Sequence, residues 1–235
     1  MLLLALDTAT SAIAVALHDG ERVLAERSVI DPRRTTEVLA PLIHEVLAEA
    51  AVGTADLTDI AVGTGPGPFT GLRVGIVTAL TLGQVHAIPV HGVCSLDALA
   101  AQYASAGADS RFSVATDARR KEVYWACYEI VGERAQRLDD PAVTRPGDLP
   151  PDVRELPSVG RGALLYPEHL HHRASTPDGP VLDVSAAALA RVALAGIAAG
   201  HEMPTTPLYL RRPDAVTPSA PKPTLTPLPP RADRP

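Results

Sequence analysis

The sequence predicts an α/β protein of two related lobes, each built on a mixed sheet, with the second lobe reduced. Three observations carry this. The chain opens on three strand-like segments in a row before any helical pattern begins. The opening, "LLLALDTATSAIAVALHDGERVLAE", returns in outline as "FSVATDARRKEVYWACYEIVGERAQRL": strand, Asp (Asp7, Asp117), polar link, strand, Gly-Glu-Arg, strand. Between the two copies, apolar runs alternate with segments of helical spacing, and 235 residues suffice for one large core or two small lobes.

Residues 2–6 form a continuous apolar run, as expected of a strand covered on both faces. After "DTATS" a second strand covers 12–17, an Asp19-Gly20 turn follows, and a third strand covers 23–29. In "DPRRTTEVLAPLIHEVLAEA", Val38, Leu39, Leu42, Ile43, Val46 and Leu47 share one helical face. Thr35 or Thr36 is expected to cap this helix, and Pro41 to delay its start or kink it. A strand at 60–62, the block "GTGPGPFTGLRVGI" and a helix over about 70–85 follow, then an apolar "AIPVHGV" and a helix capped by Ser95 with Asp97 in its first turn. Beyond the second copy, 139–183 is rich in Pro, Asp and Gly and reads as mostly irregular, and 184–200 as a small-residue helix. The proline-rich stretch after Asp214 cannot bury a core and reads as a disordered tail. The expected division is a first lobe over 1–106, a second over 107–213 and the tail over 214–235.

The glycine-rich block resembles a phosphate loop, but its spacing fails both standard forms. A Walker A loop needs GxxxxGK[ST]; here Gly71 is followed by Leu72-Arg73. A GxGxxG reading meets Pro68 or Thr70 where the last glycine belongs. Instead Gly71, Gly75, Ala79 and Gly83 recur every four residues as one bare stripe. Each helix-interior glycine costs roughly 0.5–1 kcal/mol, so a packing reason is needed: the protein's own sheet or a partner's helix. The reading carried forward is that the stripe admits a partner, so Gly75→Leu is expected to leave the fold intact and weaken association. Asp7, Thr8 and Thr10 form a turn of the kind that holds Mg-nucleotide in actin-like ATPases, but without glycine in the hairpin the cradle is degenerate.

A net charge of -6 argues against this chain gripping a nucleic-acid backbone alone, though not beside a basic partner. Cys94 and Cys127 lie far apart in apolar surroundings and read as buried free thiols. No HExxH or nucleophile elbow is present, and the histidines read as solvated or core residues. Arg33, Arg34, Arg119, Arg120, Lys121, Arg211 and Arg212 form small basic clusters, read as solvated faces or contacts to a phosphate or acidic partner. No signal peptide or membrane span is recognisable, which leaves the cytoplasm as the expected location.

Four stretches in order, "LLLALDTAT", "GTGPGPFTGLRVGI", "GVCSLDALA" and "PLYLRRPDA", resemble the TsaB (YeaZ) family of tRNA threonylcarbamoyladenosine (t6A) biosynthesis. The resemblance implies a two-lobed actin/Hsp70-like (ASKHA) fold related to the transferase TsaD but lacking its metal histidines. It implies a heterodimer with TsaD, joined by the ATPase TsaE, and self-pairing through the same surface when alone. Together they would transfer threonylcarbamoyl to N6 of adenosine 37 in tRNAs reading ANN codons, with this chain a non-catalytic scaffold that meets tRNA only through the complex. It would hold no metal or cofactor alone; ATP, ADP and Mg would belong to the partners, with a nucleotide at the interface left open. The partner surface would be built by helices over about 35–50 and 69–85, through Thr36, Leu39, Ile43, Gly71, Leu72, Gly75, Ala79, Leu80 and Gly83. Two alternatives remain: a sugar- or acetate-kinase-like enzyme with Asp7 as metal ligand and Gly160 and Gly162 near an adenine, and a plain homodimeric interaction protein.

Overall fold

The computed structural model describes residues 1–107, 109–172 and 179–211, so the expected tail lies outside the described residues. The first sheet runs in the order β3-β2-β1-β4-β5, from β1 (Leu3–Asp7), β2 (Ala12–His18), β3 (Val23–Ile30), β4 (Asp59–Gly63) and β5 (Val90–Val93). Strands β1, β2 and β3 are antiparallel and β1, β4 and β5 parallel. Strands β1 and β4 are buried at every position, as their unbroken apolar runs require. The β2–β3 turn forms as expected: Oδ1 of Asp19 accepts from the amides of Glu21 and Arg22, and Gly20 takes a φ of +100°.

Helix α1 (Thr35–Glu49) buries Leu39, Leu42, Ile43, Val46 and Leu47. It starts without delay, with Pro41 on its exposed side. A proline there removes only the bond to the carbonyl of Glu37, a loss set against the burial of five large aliphatic side chains. Neither threonine caps it: Arg34 occupies the N-cap, and its Nε donates to Glu37 at 2.9 Å.

The second sheet repeats the first. It runs β11-β10-β6-β7-β8, from β6 (Arg111–Asp117), β7 (Val123–Val131), β8 (Arg134–Arg137), β10 (Pro157–Val159) and β11 (His171–His172). Strands β6, β7 and β8 are antiparallel, and β10 and β11 run parallel to β6, so each strand matches one of the first sheet. A further strand, β9 (Ala142–Thr144), extends the edge beside β7. The stretch read as irregular therefore contains real elements, including α4 (Pro151–Arg154) and α5 (Arg161–Leu165). None exceeds five residues, which is too short for periodicity to register.

Helices α1 and α2 (Phe69–His86) cover the outer face of the first sheet, and α5 packs on β6, β10 and β11 of the second. Between the sheets lie α3 (Ser95–Ala104) and α6 (Ala186–Ala198), packed on each other. Each serves the other lobe: α3 rests on β6, β7 and β8, and α6 on β1, β2, β4 and β5. The two lobes thus share one core. Alanines 5, 14, 16 and 61 let the alanine-rich α6 approach closely, while Phe112 meets Tyr103 edge to face at 4.9 Å and stacks on Tyr128 at 5.6 Å between centroids. The α6 N-terminus is capped by Ser185, which accepts from the amide of Ala188, and by Glu26 of β3, which accepts from the amide of Ala187.

Candidate functional site

The turn after β1 carries Asp7, which is fully buried. Its Oδ1 accepts from the amide of Ala9 at 2.8 Å and its Oδ2 from the hydroxyl of Ser95 at 2.6 Å. Ser95 also accepts from the amide of Gly65 at 3.2 Å, so it latches two loops together and does not cap α3, whose N-cap is Cys94. Burial pushes the Asp7 carboxyl above its usual range, against the pull of the Ser95 and backbone hydrogen bonds.

The glycine block is moulded on this turn. A Cβ on Gly63 would overlap Oδ2 of Asp7, and one on Gly67 would stand 2.8 Å from Cα of Ala9. On Gly71 it would meet the Thr8 carbonyl at 2.8 Å, and on Gly75 it would overlap the Thr8 hydroxyl. That hydroxyl donates to the carbonyl of Gly71 at 2.8 Å. The four glycines let a helix and its leading loop lie directly on Asp7-Thr8-Ala9.

An ion pair of the second lobe reaches the turn of the first. Nε of Arg161 donates to both oxygens of Asp183, at 2.9 and 2.8 Å. Asp183 also accepts from the amide of Ser11 in the first lobe at 3.1 Å, and Thr10 accepts from the amide of Val184 at 3.4 Å. Beside Thr10, Asp117, Arg119 and Arg161 a cavity of only about 10 Å³ remains, room for one water at most. In the second lobe a Cβ on Gly160 would overlap the Ala115 carbonyl and one on Gly162 would lie 2.9 Å from it. These glycines make room for β6.

The raised pKa of Asp7 gives a pH signature. Its native carboxyl holds a proton more tightly than the unfolded one, whose pKa is 3.8. Its contribution is therefore fully present below that value and is lost as pH rises through the native one. Asp7→Asn is expected to remove this slope, gaining on the wild type as pH rises from about 4 to 7. Urea unfolding of both proteins across that range checks it; parallel curves would reject it.

Most residues expected at a partner surface turn inward. Leu39, Ile43, Leu72 and Ala79 belong to the core between the first sheet and its outer helices. Gly75 and Gly83 are buried, Gly83 because a Cβ there would overlap Val90, and Gly71 is half-buried. The bare stripe of α2 faces the protein's own strands, so of the expected set only Thr36 and Leu80 are exposed. Gly75→Leu is accordingly expected to unfold the protein, since a leucine cannot share space with Thr8; a native-like melting curve would contradict this. The outer face of α2 instead presents Phe69, Val77, Leu80 and Val85, between 43% and 69% exposed.

Spacing does not single out Asp183 or Ser95, whose roles depend on distant loops meeting. Cys94 and Cys127 are free thiols, pushed by burial to about 12 and about 11. His91 pairs with Asp59 at 3.0 Å. Among the described residues, no group of three or more His, Cys, Asp and Glu could hold a metal ion, and no helix is long and apolar enough to cross a membrane.

Two copies of one sheet topology, with the last helix of each lobe on the other's sheet and a cleft between, define an actin/Hsp70-like protein. The family model described as TsaD, tRNA N6-adenosine threonylcarbamoyltransferase, matches residues 30–196. The chain is 39% identical over 218 residues to an uncharacterized protein of Mycobacterium leprae, covering 91% of this chain and 56% of that longer one. It is 35% identical over 163 residues to the tRNA threonylcarbamoyladenosine biosynthesis protein TsaB of Escherichia coli, covering 61% of this chain and 70% of that one. The solved structure of YeaZ from Pseudomonas aeruginosa superposes with a TM-score of 0.73 at 32% identity, covering 89% of this chain and all of that one. The chain belongs to the TsaB/YeaZ family, which includes named proteins of t6A biosynthesis.

Proposed function

We propose that this chain is a non-catalytic scaffold of t6A biosynthesis in the cytoplasm. It pairs with a TsaD-class transferase, is joined by the ATPase TsaE, and supports threonylcarbamoyl transfer to N6 of adenosine 37 in tRNAs reading ANN codons. The observation that carries the reading is the treatment of Asp7: the carboxylate that would hold a metal-nucleotide is sealed by Ser95 and the glycine block. The Arg161–Asp183 pair, bonded to the amide of Ser11, ties the second lobe to the turn that carries Asp7. ATP, ADP and Mg are then matters for the partners. The exposed apolar residues of α2 supply the surface a partner would cover, and the same surface would serve self-pairing when the chain is alone.

The test is reconstitution of adenosine 37 modification with and without this chain. Omission is expected to abolish modification, and Asp7→Asn to support it at the wild-type rate. Modification that proceeds unaided would overturn the scaffold role, and a loss confined to Asp7→Asn in a folded protein would point to a catalytic Asp7.

A further inference from the structure

The last described residues pin the chain's exit to one place. The amide of Leu208 donates to the carbonyl of Thr64 at 2.8 Å, Nε of Arg73 donates to the Tyr209 hydroxyl at 3.0 Å, and Arg211 pairs with Glu122. Leu210 and Arg211 line a surface pocket of about 430 Å³ whose other walls include Pro68 and the rings of Phe69, Tyr124 and Tyr209. Of the chain's eight aromatic residues, three therefore gather where the described chain ends. The Phe69 and Tyr209 centroids lie 5.2 Å apart, and the Arg73 guanidinium sits 4.0 Å over the Phe69 ring, which holds the pair in place. At Pro68 and Phe69 this pocket adjoins a second, of about 210 Å³, walled by Pro32, Thr36 and Thr70.

Two of the three arginines that line the ring pocket are paired within the fold, Arg119 with Asp117 at 2.9 Å and Arg211 with Glu122. The rings are what the pocket offers a ligand, and grooves walled by aromatic rings grip proline-rich segments. Such a segment follows directly. The 24 residues after Arg211 contain Pro218, Pro221, Pro227 and Pro230. A polyproline II helix has three residues per turn, so these four prolines share one face, interrupted only by Thr224. Between Ala215 and Pro230 the sole charged residue is Lys222, which suits an apolar site. A polyproline II helix needs no internal hydrogen bonds and is pre-formed by its prolines, so docking it costs little ordering. Residues 212–217 leave the chain room to turn back, and a tether of that length holds the ligand at an effective concentration on the order of 1 mM.

We infer that the proline face of residues 218–230 docks on the ring pocket of its own chain, its prolines lying against Phe69, Tyr124 and Tyr209. Tethering selects this occupant over an outside one, because the segment starts from the pocket's own wall at Arg211. Docking of this kind is independent of the proposed function, although a docked tail would cover Phe69 and so shorten the apolar face of α2 open to a partner.

Photo-crosslinking in the full chain tests this. With p-benzoylphenylalanine in place of Leu228, a position off the proline face, irradiation is expected to join the tail to peptides containing Phe69, Tyr124 or Tyr209 within one chain. The quadruple variant Pro218→Ala/Pro221→Ala/Pro227→Ala/Pro230→Ala should lower the yield about tenfold, whereas Pro223→Ala/Pro229→Ala, which keeps the face, should leave it within about twofold. Both sets of substitutions lie outside the described fold, so neither depends on a core that could fail to form. No adduct, or adducts only elsewhere, would overturn the inference. Equal yields from the two proline variants would do so as well, since tethering alone would then bring the tail near. Adducts that join two chains would make the occupant a second copy and reject docking within one chain.

Discussion

Gly63→Ala is expected to leave little or no folded protein at 37 °C. The added Cβ would overlap one carboxylate oxygen of Asp7 and stand 2.9 Å from Oγ of Ser95, and the residues around both are buried. Relief requires Asp7 to leave Ser95. That strands a buried carboxylate without its hydrogen bond, at about 1–3 kcal/mol or more, and adds about 1–3 kcal/mol of overpacking. Against a typical total of about 5–15 kcal/mol, a loss of ~2–6 kcal/mol takes a large part of the stability. Gly53→Ala is the control: the nearest atom to its Cβ is Oδ2 of Asp56 at 3.7 Å, an ordinary contact, and a change within about 0.5 kcal/mol is expected. Urea unfolding of the two variants decides the matter, and a Gly63→Ala midpoint close to the wild type would remove the basis for a sealed Asp7.

Much of the first lobe was legible because its strands are long enough to show their pattern. Continuous apolar runs marked β1 and β4, and the Asp-link-strand-Gly-Glu-Arg outline exposed the duplication that the two sheet orders share. The second lobe's outer elements escaped because strands and helices of two to five residues carry no period. The exchange of α3 and α6 between sheets was invisible too: both are small, apolar helices, and composition does not say which sheet covers them.

The site divides in the same way. Asp7, Thr8 and Thr10 stood out as a turn between two strands, but the groups that seal it come from afar. Asp183 lies 172 positions from Ser11 and Ser95 lies 88 from Asp7, distances over which spacing has no meaning. Ser95 also matched a cap signal, and tertiary structure claimed its hydroxyl for the carboxylate. At α2 the stripe expected to admit a partner lies against the protein's own turn and strand. Spacing left the stripe's purpose open between the protein's own sheet and a partner's helix, and its small residues are spaces for Thr8 and Val90.

That second face carries the other large effect. Val77→Asp/Leu80→Asp is expected to leave the monomer's melting temperature nearly unchanged, because the two side chains are 59% and 43% exposed and lie outside the core. Association with the transferase should nonetheless fall at least a hundredfold, since each aspartate would be buried against apolar surface at a site where anchor residues are worth about 2 kcal/mol or more. Self-association should fall with it if, as proposed, one face serves both pairings. Leu164→Asp provides the comparison: an equally exposed leucine, 49%, on α5 of the second lobe, where the same charge should disturb neither pairing. Co-elution by size-exclusion chromatography and titration calorimetry read both effects. If the Leu164 variant loses its partner and the α2 variant keeps it, the docking surface lies on the second lobe, and the exposed apolar residues of α2 need another explanation.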